Sequence, residues 1–232
     1  MDAKLILGFL RDIKANNNRE WFHEHRDYYD AVRKEFESGV GALIARISTF
    51  DPTIAHVTVK DASYRFYRDT RFSPDKSPYK RHLGAYIAAH GKKSFHGGYY
   101  IHLEPDNCFI ACGAYCLPTN ILTACRNEIM ANTDAWLSAV ENDRFLEFYG
   151  GEDDATMESS KGFGLEKLKT RPSGFPADYE YINYLRMKDY CCWHHVDNDF
   201  FGKANWLDDV EQMFKAAKPM LDFTNSVIDD YE

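Results

Sequence analysis

Apolar residues at Leu5, Ile6, Phe9, Leu10 and Ile13 recur every three or four positions, which predicts a short amphipathic helix over residues 2–15. Three consecutive asparagines, Asn16 to Asn18, then stop the pattern, and Asn17 followed by Glu20 fits a capping box for the next helix. Trp21, Phe22, His25, Tyr28, Tyr29, Val32, Phe36, Val40, Leu43, Ile44 and Ile47 continue at helical spacing. They predict one long helix, bent near Gly39 and Gly41 and ending before Asp51-Pro52.

The period then changes from 3.6 to 2. Residues 57–59 and 64–67 are rich in β-branched and aromatic side chains and predict short strands. Residues 68–80 have no period and carry Pro74 and Pro78, so they predict a loop. Residues 83–89, 98–104 and 108–115 predict three successive strands, an antiparallel meander with a turn at Glu104-Pro105-Asp106-Asn107. On the middle strand, Tyr100, His102 and Glu104 share one face and Tyr99, Ile101 and Leu103 the other. A helix opens at Pro118 and a shorter one at Asp134. Residues 147–164 are acidic and glycine-bearing and predict an exposed, mobile insertion. Residues 171–176 predict an irregular segment, 179–187 a short helix, 190–196 a strand and 203–222 a final helix. No repeat, low-complexity tract or linker interrupts the 232 residues, so a single α+β domain over 1–232, a mainly antiparallel sheet packed by several helices, is the economical expectation.

Composition adds a location. No apolar run reaches the length of a membrane span and the first residues lack a secretory pattern, so a cytoplasmic protein with its six cysteines reduced is expected. Charge adds a site. The chain carries a formal net charge of −8, yet residues 60–93 hold nine Lys or Arg against three Asp, a local +6 that leaves −14 elsewhere. An acidic body disfavours extended nucleic acid, whereas a basic island points to a small or local anionic partner.

The island is densest over residues 65–81, where basic residues alternate with aromatic ones. The candidate ligand-binding set is Arg65, Arg68, Asp69, Arg71, Lys76, Tyr79, Lys80 and His102, with His82 as a second neighbouring histidine. Arginine suits this task because its planar fork donates two parallel hydrogen bonds to a carboxylate or phosphate. A plainer alternative is that Arg68, Asp69 and Arg71, and Asp75 with Lys76, form local ion pairs that fix the loop. A general acid or base would come from His102, Asp69 or Glu20, and no catalytic residue is assigned. Cys108, Cys112 and Cys116 lie four apart, which on a strand is too far for a shared metal, and they read as buried thiols on one sheet face. No metal motif, phosphate-binding glycine loop or nucleophile elbow is present. A Cys112–His102 pair could meet across the meander, though nothing requires it. The sequence names no cofactor and sets no oligomeric state.

Three stretches carry a resemblance: Asn16–Phe22 (NNNREWF), Arg65–Lys80 (RFYRDTRFSPDKSPYK) and Tyr99–Leu103 (YYIHL). They resemble a widespread family, mainly bacterial with some fungal members, classed as a domain of unknown function. This chain has Phe66 and Pro74 where the family more often has aliphatic and basic residues, which leaves the charged set intact. The resemblance implies a domain and marks these segments, and it brings no activity. Two functions are therefore expected to compete. One is a small anionic ligand, phosphate- or carboxylate-bearing, held at residues 65–81, with or without chemistry. The other is a protein-interaction module that docks an acidic partner through the same loop.

Overall fold

The computed structural model describes residues 1–151 and 155–231. The fold is α+β. The chain runs through helices α1 (Ala3–Ala15), α2 (Arg19–Glu24), α3 (Arg26–Ile47) and α4 (Val59–Ala62) before strands β1 (Leu83–Ile87), β2 (Gly98–Leu103) and β3 (Cys108–Ala114). Helices α5 (Thr119–Ala131), α6 (Thr133–Val140) and α7 (Asp143–Tyr149) follow, then β4 (Lys161–Phe163), α8 (Ile182–Arg186), β5 (Tyr190–Val196) and α9 (Trp206–Ile228). The strands form one antiparallel sheet in the order β1-β2-β3-β5-β4, with Gly162 of β4 opposite Trp193 of β5.

The chain divides into two compact units interleaved in sequence, residues 1–92, 100–109 and 196–211 in one and 93–99, 110–195 and 212–232 in the other. The first has a core of aromatic rings. Phe9 of α1, Phe22 of α2, Tyr29 of α3, Phe66 and Tyr79 are buried together, with Phe22 stacked on Tyr79 at 4.2 Å and Phe66 on Tyr79 at 5.7 Å. In the second, the Trp136 indole is wholly buried among Phe163, Tyr184, Tyr190 and Phe223. Tyr149 is buried there too, its hydroxyl donating to the Met213 carbonyl at 2.8 Å.

Several expectations are corrected. The cap of α2 is Asn18, whose Oδ1 accepts from the Trp21 N–H at 2.9 Å, and not Asn17. The helix predicted from residue 21 is two helices separated at His25, and α3 continues through Gly39 and Gly41. Residues 57–59 are not a strand: Thr58 and Asp61 cap each other's backbone N–H groups and start α4, so a local capping box overrides the β-branched composition. Residues 64–67 are not a continuous strand: the segment meets residues 79–85 through two isolated bridges, Ser63 with Ala85 and Tyr67 with Tyr79, whose registers differ by two residues. Pro78, lacking an N–H, stops the second from extending. Cys108 and Cys112 are buried on β3, but Cys116 lies beyond the strand, exposed and with φ of 55°. The final helix starts at Trp206 and continues past Pro219 to Ile228, because buried Met220, Leu221, Val227 and Ile228 prolong its apolar stripe. The expected insertion over 147–164 includes residues 152–154, which lie outside the described residues; its flanks are the end of α7 and strand β4. Among the described residues no helix is long and apolar enough to cross a membrane.

Candidate functional site

Residues 63–85 fold back on themselves. The Tyr64 N–H donates to the Gly84 carbonyl at 3.1 Å, Lys80 to Phe66 at 2.9 Å and Arg68 to Pro78 at 2.9 Å. The apolar alternates of this ribbon, Phe66 and Tyr79, enter the aromatic core. Asn17 locks it from outside: its side-chain amide donates to the Tyr79 carbonyl at 3.0 Å and accepts from the Tyr79 N–H at 3.1 Å. One asparagine thus does for Tyr79 what a neighbouring strand would do.

The tip of the ribbon satisfies its own charges. Arg68 donates to Asp75 at 2.6 Å, to the Ser77 carbonyl and to Ser73 Oγ, and Arg81 reaches Asp75 at 3.6 Å. The Ser77 hydroxyl and N–H, together with Arg68, hold the Asp75 carboxyl far below the usual carboxylate range. Arg71 forks onto Asp69 at 2.8 and 3.0 Å and lowers that carboxyl as well. Lys76 donates to the Thr70 carbonyl at 3.0 Å. Of the eight residues expected at a ligand site, Arg68, Asp69, Arg71 and Lys76 are therefore occupied within the tip, and Tyr79, 2% exposed, is core. Arg65, Lys80 and His102 are placed differently.

His102 is buried on β2, and Lys80, which comes just before β1, feels the charge of Arg65. Period-2 alternation brings Tyr100 and His102 of β2 and the following Glu104 to one side. The Tyr100 hydroxyl is 2.8 Å from His102 Nδ1, and His102 Nε2 is 3.3 Å from Glu104 Oε2. Burial pushes the Glu104 carboxyl up, but hydrogen bonds from Asn107 and His102 outweigh it and the net shift is downward. An ionised Glu104 can only accept, which puts the His102 proton on Nε2 and leaves Nδ1 to accept from the Tyr100 O–H. Burial raises the Tyr100 phenol well above its ordinary value, so it stays protonated as this donor. Phe109 stacks on the His102 ring at 4.5 Å and holds its plane. Opposite Tyr100 stands Gly84, where a Cβ would come within 2.6 Å of the phenol oxygen, so only glycine leaves the hydroxyl its position. Both His102 nitrogens are thus engaged, and a Cys112–His102 dyad gains no support.

His82 precedes β1, with its ring centroid 4.5 Å from that of His102. Burial, and then the charge of Lys80, lower its basicity, so it is neutral at pH 7. Lys80 carries its ammonium 5.0 Å above the Tyr64 ring, and Lys92 stands 5.4 Å from the same ring. Lys92 also donates to the Ser63 carbonyl at 2.7 Å. Tyr64 in turn lies edge-on to Tyr100, at 6.4 Å. Lys80 makes no salt bridge with any described residue, and neither does Arg65. Burial first, and then repulsion from Arg65 and Lys92, lower the affinity of Lys80 for its proton. The result is a cationic face beside a carboxylate–imidazole–phenol chain, an arrangement able to hold an anion and to move a proton next to it. Alternation in the sequence already joined Tyr100, His102 and Glu104. Tyr64 was missed as a member because only the fold-back of residues 63–85 brings it to Lys80, and Lys92 because it reaches the Tyr64 ring and the Ser63 carbonyl from beyond β1.

The chain belongs to the conserved hypothetical protein family DUF2461, which it matches over residues 5–223. No curated protein and no solved structure matches it.

Proposed function

We propose that the protein binds a small anionic ligand, phosphate- or carboxylate-bearing, among Arg65, Lys80 and Lys92 around the Tyr64 ring, rather than at the tip of the loop. The observation that carries this reading is Lys80. Its half-buried ammonium has an aromatic face and two neighbouring cations, and no carboxylate among the described residues. Such a group loses hydration and gains repulsion, and an anion relieves both. The −14 carried outside residues 60–93 favours a compact anion over an extended polyanion. Six cysteines with no disulfide among the described residues fit a reducing, cytoplasmic setting.

The test is thermal unfolding of metal-free protein with inorganic phosphate or citrate. Phosphate stabilises most folds by exclusion from their surface, so the readout is the difference between wild type and variants. Wild type should gain several degrees more than Lys80→Met or Arg65→Ala, while Arg68→Ala should respond as wild type does. Equal gains in wild type and Lys80→Met would remove this reading.

A second reading, docking of an acidic partner protein, is favoured by one feature. Phe72 is 93% exposed at the loop tip, with the Arg71 guanidinium 5.7 Å from its ring. Arg71 itself keeps 77% of its side chain exposed. Phe72→Ser would abolish that interaction and leave small-anion binding untouched.

A further inference from the structure

We infer that His82, His102 and Glu104 form a binding site for one divalent transition-metal ion of the zinc type. Two imidazoles and one carboxylate, with coordination positions left open, are a recurrent donor set for such ions. The three side chains each offer a ligand atom, and these atoms lie within 4.8 Å of one another. His102 Nε2 and Glu104 Oε2 are 3.3 Å apart. Two donors at about 2.1 Å from one ion and that far apart subtend roughly 100° at it, between octahedral and tetrahedral angles. His82 completes the set from the start of β1, and neither of its ring nitrogens is hydrogen-bonded to another described residue.

The groups behind the donors are those a metal site requires. Ligating histidines usually have the other ring nitrogen held by a partner, and ligating carboxylates are held in turn. Here Tyr100 holds His102 Nδ1, Asn107 Nδ2 donates to Glu104 Oε2 at 2.9 Å, and Phe109 stacks on the His102 ring. Metal binding exchanges the tautomer of His102. The proton on Nε2 gives way to the ion, Nδ1 becomes the protonated nitrogen, and Tyr100 changes from donor to acceptor while the imidazole stays neutral. Both His102 and Glu104 come from one short stretch of β2 and its end, so their spacing is set by strand geometry and not by a loop.

The proposal does not depend on anion binding, and its test contains no phosphate or carboxylate. Chelator-stripped protein is titrated with Co2+ alone and Zn2+ alone. The expected result is one equivalent bound, with visible Co2+ absorption bands that Zn2+ displaces. His82→Ala and Glu104→Gln should each weaken binding at least 100-fold, Tyr100→Phe about tenfold, and His23→Ala, at an exposed histidine elsewhere, not at all. Circular dichroism melts confirm that the variants are folded. The inference is overturned if stripped wild type takes up no metal saturably. It is equally overturned if His82→Ala and Glu104→Gln, both folded, bind as wild type does.

Discussion

Two charged regions lie side by side between residues 64 and 104, and they handle charge in opposite ways. At the loop tip, the arginines and the lysine each reach an oxygen acceptor within the tip itself: Arg68 meets Asp75, Arg71 meets Asp69, and Lys76 meets the Thr70 carbonyl. On the sheet face, Lys80 and Arg65 meet no carboxylate among the described residues, and a histidine pair and Glu104 stand beside them. Counting basic residues makes the tip the richer site. Following their partners reverses the ranking, because a cation already satisfied has little left for a ligand, whereas an unsatisfied half-buried one does.

The largest expected effect breaks the scaffold common to both regions. Phe66→Ala removes a ring at the centre of the aromatic core and should cost about 3–5 kcal/mol, read from the urea midpoint and slope. A loss below about 1 kcal/mol would show that the ribbon is held otherwise. Next comes Arg68→Ala, which leaves Asp75 with only the more distant guanidinium of Arg81. It should lower stability by about 1 kcal/mol and leave anion binding intact, the pairing that separates a structural charge from a binding one. Acid titration sharpens the same point. Asp75 has a folded-state pKa below its unfolded one, so its contribution is present above the unfolded value and is lost as pH falls through the folded value. Asp75→Asn should therefore lose that contribution near neutrality, where the pH slope stays as it was, and flatten the acid limb of the stability profile below about pH 4. An unchanged acid limb would contradict the bonding described at the tip. The smallest effect on stability belongs to Lys80→Met, a shift within about 0.5 kcal/mol of zero, although this substitution should lose the anion response altogether.

Much of this was legible in the chain, and the gaps have physical causes. Alternation along Tyr99 to Leu103 placed Tyr100, His102 and Glu104 on one face, because a strand has a strict period of two. The helix of residues 3–15 followed from its apolar stripe. Three adjacent asparagines offered three caps of equal chemistry, and only tertiary contact assigned Asn18 to the helix and Asn17 to Tyr79. Val57 and Val59 suggested a strand, while the four-residue box begun by Thr58 decided for helix. The basic tip misled for a different reason. Which arginine meets which aspartate is a matter of loop geometry, and composition is the same for a closed network and an open one. His82 was already named as a histidine beside the loop, whereas Lys92 joins the Tyr64 ring only through contact between segments distant in the chain, which no local pattern encodes.

The reciprocal bonds between Asn17 and Tyr79 also bear on how the molecule assembles. They join residues 62 positions apart, and closing a flexible loop of that length costs roughly 3–4 kcal/mol in chain entropy. Contacts of such sequence separation form late, after the local helices are in place. The ribbon carrying Lys80 would then gain its final shape only after α1 and α2 have docked, although neither helix contributes a side chain to the cationic face. Substituting Asn17 by alanine would delay the ordering of a surface it never touches, and stopped-flow refolding followed at Tyr79 would record that lag.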